Sequence, residues 1–151
     1  MMTFPNLRAL LLAGLAGELA FEAYAWLVSP LLFGVTLEPA KLIMGLTGMG
    51  LGLSLPYAAA FAVHLLIGSL GFAAVVWLVH AVTRAPLPIA GALAGVALWF
   101  VAQGLLAPLM GRDFMMGFGA YTQSSLIGHV GMSIVIGLAL RQLIRPRTMP
   151  A

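Results

Sequence analysis

The sequence predicts an all-α fold: a polytopic membrane four-helix bundle made of two parallel helical-hairpin repeats, with both termini cytoplasmic. Three observations lead there. Charged residues are 7% of the 151, against about 25% in a soluble domain. Mean hydropathy is +1.09, far on the apolar side. Four apolar runs are each long enough to cross about 30 Å of hydrocarbon at about 1.5 Å per residue.

The first run covers 9–33. Arg8 precedes it, and Ala23-Tyr24-Ala25 has the small-x-small form of a leader cleavage site. Apolarity nevertheless continues through Leu31, Leu32 and Phe33, and Glu18 would fall inside the leader, so the run reads as a retained first helix. Segment 37–56, LEPAKLIMGLTGMGLGLSLP, comes next. Pro39 suits the first turn of a helix and Glu38 its positive end. Gly45, Gly48, Gly50 and Gly52 then weaken it, which predicts a short interfacial or re-entrant helix and a glycine-rich return. The second run covers 57–82. The proline-rich turn TRAPLP (83–88) leads into the third at 88–110, and GRDFMMGFGAYT (111–122) into the fourth at 123–143. All of 1–151 forms one membrane domain.

Lys and Arg placement sets the orientation. Arg8, Arg84, Arg141, Arg145 and Arg147 fall on one side of four spans, and Lys41 and Arg112 on the other. The first side is therefore the cytoplasmic one, and the predicted location is the bacterial inner membrane. Leu-Ala-Gly at 15–17 recurs at 93–95, and Pro-Leu at 30–31 recurs at 108–109. Both pairs are offset by 78 residues. The next helix in each half carries one histidine, His64 or His129, so the chain reads as two copies of one hairpin.

Each predicted span has a seam of small and polar residues that lipid would reject. The first holds Glu18, Glu22, Ala25 and Ser29; the second His64, Gly68 and Gly71; the third Gly91, Gly95, Trp99 and Gln103; the fourth Ser125, His129, Ser133 and Gly137. Counted from level span ends, His64, His129 and Gln103 lie roughly 10 Å below the outer boundary, Glu22 roughly 16 Å and Glu18 roughly 22 Å.

Carboxylates resist ionising in low dielectric, and two of them one turn apart resist it further. Glu18, Glu22 and Gln103 are therefore candidates for taking up a proton or a cation, the alternative being neutral acids that only fix helix register. His64 and His129 suggest a bis-histidine haem b, with Gly68, Gly71, Gly128 and Gly131 making room for the macrocycle. A metal ion held by Glu22, His64 and His129, with or without Gln103, is the other reading of the same residues. His80, near Arg84, reads as an interfacial residue. Outer-side methionines read as flexible filler. Tyr24, Trp26, Tyr57, Phe114, Phe118 and Tyr121 read as an outer aromatic belt.

The absence of cysteine excludes disulfides, thiolate metal sites and cysteine nucleophiles. No phosphate-binding loop, dinucleotide fingerprint or zinc-protease motif is present, and the short basic tail is no nucleic-acid module.

LAG…PL, HLLIGSLG opening the second span and GHVGMSIVIG opening the fourth resemble the small bacterial four-helix inner-membrane proteins of the YagU-like kind. The resemblance implies the fold and the membrane; that group's function is largely unassigned. Three function classes are open: an accessory subunit of a homo-oligomer or larger membrane complex, a proton- or cation-handling transporter-like protein, and a haem or metal carrier. The lipid bilayer is the common partner, and the non-enzymatic readings are favoured.

Overall fold

A computed structural model describes residues 5–144. Among these the chain is helical and turn-connected, with no strand. Five helices organise it: α1 (Leu7–Phe33), α2 (Pro39–Leu51), α3 (Tyr57–Thr83), α4 (Leu87–Leu109) and α5 (Ala120–Leu143). All but α2 are long and apolar enough to cross a membrane. Arg145 and Arg147 lie outside the described residues.

Local chemistry sets the helix ends. The Asn6 side chain accepts from Ala9 N at 2.8 Å and caps α1. Gly34 stops α1 in the left-handed region, at φ 68°. Pro39 opens α2 as anticipated, but the glycines do not end it: Gly45, Gly48 and Gly50 are helical, and only Gly52 turns left-handed, at φ 64°. Helix α5 starts at Ala120, three residues before the predicted start. The turn before it, Phe114–Phe118, runs through positive φ from Met115 to Phe118. Thr122 Oγ1 donates to Met115 O at 2.5 Å and ties that turn to α5.

The long helices are not regular throughout. Among the described residues, α1, α3 and α4 each contain a π-helical stretch, at Tyr24–Val28, Ile67–Phe72 and Val101–Leu106. The stretches in α1 and α4 end two residues before Pro30 and Pro108. A proline cannot donate to the carbonyl four residues back, so the freed turn can widen there.

Small residues decide which helices meet. A Cβ on Gly91 would lie 2.2 Å from Ser133 O, and one on Gly137 2.3 Å from Leu87 O, so α4 and α5 approach backbone to backbone. Gly14 makes the same approach to Ser69 across α1 and α3. Helix α5 also packs along α1, and the second half of α3 packs on α4. The packing is compatible with a helical bundle. Its core is Leu10, Phe21, Val76, Trp77, Met132, Ile136 and Leu140 with their neighbours. Leu12, Leu15, Leu19, Leu78, Leu93, Leu105 and Leu138 are exposed and form the outward face.

Candidate functional site

Glu18 is the centre of the polar interior. It is 1% exposed, although it is an acid in a span-length apolar helix. Gly68 on α3 makes this possible, because a Cβ there would fall 1.1 Å from Glu18 Oε1. The carboxylate therefore occupies the space a side chain would have filled. Neither of its oxygens has a hydrogen-bond partner among the described residues. His64 Nε2 lies 3.4 Å from Glu18 Oε2 and 3.7 Å from Glu22 Oε1, and it too has no hydrogen-bond partner there. Trp26 Nε1 donates to Glu22 Oε2 at 2.7 Å and so turns Oε1 toward His64. One ligand atom from each of Glu18, Glu22 and His64 can be chosen so that all lie within 4.8 Å of one another.

His129 stands apart from this triad. Its Nδ1 is 2.8 Å from Ser125 O, a carbonyl that can only accept, so Nδ1 carries the proton and Nε2 is the acceptor. Gln103 Nε2 donates to Ser125 Oγ at 3.3 Å, and Gln103 Oε1 is buried without a partner among the described residues. The polar interior is thus two groups, Glu18–Glu22–His64 between α1 and α3 and Gln103–Ser125–His129 between α4 and α5. Phe21 joins them, with its ring 5.9 Å from that of His64 and 6.1 Å from that of His129.

This arrangement corrects several expectations. Of the residues expected to share a metal, Glu22 and His64 come together with Glu18, whereas His129 and Gln103 fall in the other group. The glycines assigned to a haem slot do not form one: Glu18 fills the space at Gly68, Phe21 fills that at Gly128, and Gly71 and Gly131 are exposed. Gly71 leaves the predicted seam because the π-helical stretch adds a residue to the turn and rotates the rest of the helix, so Ala73, Val76 and Trp77 face inward instead. The depths taken from level span ends also fail, since His64 touches Glu18 across a predicted gap of about 12 Å.

A cavity of about 270 Å³ lies beside the triad. His64, Phe72, Gln103, Ser125, His129 and Met132 line it, together with Leu42, Ile43 and Leu46 of α2. Glu38 and Arg112 also line it. The Glu38 carboxylate accepts from Lys41, and that bond holds the ammonium above its ordinary pKa. His64 alone belongs to both the triad and the cavity.

Sequence reasoning missed a third polar group. Ser29 Oγ donates to Val35 O at 2.6 Å, so Ser124 donates to Ser29 at 2.6 Å, and Tyr24 OH donates to Ser124. This chain pins α1 to α5 and takes Tyr24 out of the aromatic belt. Tyr121 also turns inward, whereas Trp26, Tyr57, Phe114 and Phe118 stay exposed. His80 Nδ1 contacts Ala85 O at 2.6 Å, at the α3–α4 turn.

In comparisons with protein families, curated proteins and solved structures, nothing matches this chain.

Proposed function

We propose that this protein is a small cation-handling integral membrane protein whose Glu18–Glu22–His64 triad takes up a proton or a cation inside the bilayer. The observation that carries this is Glu18: 1% exposed, with neither oxygen hydrogen-bonded among the described residues, 3.4 Å from an imidazole nitrogen that is also unsatisfied. A register-fixing acid would end in hydrogen bonds to a neighbouring helix, as Tyr24, Ser124 and Ser29 do. An unsatisfied buried carboxylate costs several kcal/mol, roughly, unless something neutralises it. Ionisable groups inside a span are functional candidates by default.

The reading includes a four-helix bundle in a bacterial inner membrane with both termini cytoplasmic. Arg8, Arg84 and Arg141 at the start of α1 and the ends of α3 and α5 support it. The hairpin repeat belongs to the same proposal. Its support is the pair of π-helical stretches that precede Pro30 and Pro108, the prolines offset by 78 residues. The YagU-like kinship rests on the motifs alone.

The test is reconstitution into liposomes containing a pH-sensitive dye, followed by an external pH jump. Wild-type protein should speed equilibration over empty vesicles. The double variant Glu18→Gln, Glu22→Gln should lose at least tenfold of that excess while staying folded. Wild-type vesicles that match empty ones for protons and for metal ions would end the reading.

A further inference from the structure

We infer that the Glu18–Glu22–His64 triad is a binding site for one divalent transition-metal ion. The inference rests on the proposed cation-handling role and names the class of cation.

The first argument is geometric. Zinc-like ions bind carboxylate oxygen and imidazole nitrogen at about 2.0–2.2 Å, and in a tetrahedral shell such ligand atoms stand roughly 3.4 Å apart. The imidazole nitrogen stands 3.4 Å and 3.7 Å from the two carboxylate oxygens. These two separations need tenths of an ångström of adjustment, and the two carboxylates, whose ligand oxygens stand within 4.8 Å of each other, close the shell by side-chain rotation without a change of fold. Three protein ligands also leave one coordination position open, as in sites that exchange a ligand rather than in closed structural ones.

The second argument is charge. A metal ion displaces the protons of its ligands, and two carboxylates with an imidazole ligand then sum to minus two, which one dication cancels. A monovalent cation would leave a net charge in low dielectric, which is the costly outcome.

The third is ligand type. Calcium and magnesium take oxygen ligands in six- to eight-fold shells, whereas imidazole with carboxylate suits zinc, manganese, iron or cobalt. The triad supplies one nitrogen and two oxygens and is walled by Phe21 and by Gly68, where there is no side chain.

The site is also built rather than incidental. Glu18 is nearly fully buried and aimed at His64, with no competing hydrogen bond among the described residues. The Trp26 donor holds one oxygen of Glu22 and leaves the other for the ion. Metal ligands are commonly oriented by such outer partners.

The experiment titrates Co²⁺ into the full chain in detergent and measures visible d–d absorption. Wild-type protein should bind one Co²⁺ with the intense bands of a four- or five-coordinate site, and Zn²⁺ should displace it. Glu18→Gln and His64→Ala should each weaken binding by at least tenfold. His80→Ala, remote from the triad, should leave it within about twofold. Circular dichroism of each variant separates lost binding from lost fold, and isosteric Glu22→Gln provides a second reading if Glu18→Gln does not fold. The inference is overturned if no one-to-one band forms, if the band survives Glu18→Gln with His64→Ala, or if Ca²⁺ competes as well as Zn²⁺. Proton flux that needs Glu18 and Glu22, without any Co²⁺ band, would overturn this inference and leave the proposed function standing. A Co²⁺ band without any flux would do the reverse.

Discussion

Glu18 reaches its position only because residue 68 has no side chain. The two residues are one device, and sequence spacing within either helix could not reveal it. Glu18 and Glu22 stood out as costly acids, and His64 as a span histidine, so the members of the triad were legible. Their meeting was not, because it depends on the relative height of α1 and α3. The Trp26–Glu22 bond could have been found: the residues are four apart on one helix, a spacing that brings side chains together. We predict that Gly68→Ala, which drives a methyl into the Glu18 carboxylate, destabilises the protein by about 1–3 kcal/mol. Gly131→Ala should be neutral or slightly stabilising, since its Cβ would meet open space on an exposed helix face. Thermal unfolding of the two variants in one detergent checks this; equal midpoints would contradict it.

At the scale of elements, the four long helices were legible from hydropathy and length. Their π-helical stretches were not. Prolines 30 and 108 hint at two of them, but Ile67–Phe72 has no proline and no other signal in one sequence. The stretch matters because His64 lies just before it and the inward-facing Ala73, Val76 and Trp77 lie just after. One extra residue lets both halves of α3 face the interior, and π-bulges often serve functional sites in this way. We predict that deleting Gly71, which is exposed, removes the extra residue, restores a regular helix and leaves both halves of α3 facing the interior. Helicity by circular dichroism should persist, and Co²⁺ binding and dye equilibration should be retained. Loss of both with helicity intact would show that the wide turn itself positions the triad. The glycine-rich part of α2 was misjudged for a related reason. Intrinsic propensity is a weak prior, and packing of α2 on α3 overrides it.

For the whole molecule, composition sufficed to identify a membrane chain of four apolar helices, because lipid leaves few alternatives. Which helices touch depended on glycines meeting backbones far away along the chain, and a single sequence does not reveal such pairs. Orientation can be tested directly. Fluorescent-protein fusion to the C-terminus should glow, and alkaline-phosphatase fusion at the α1–α2 connection should be active. The opposite pattern would invert the proposed topology.

Glu18 is the twelfth residue of the 27-residue α1, close to its middle. In the proposed site, a charge bound at Glu18 would have fallen through about half of the membrane voltage. A full crossing of 100 mV does about 2.3 kcal/mol of work on a unit charge. Half of that changes occupancy roughly sevenfold, and more for a dication. The proposed site would then answer to voltage as well as to concentration, with polarisation of the membrane filling or emptying it without any part of the backbone having to move.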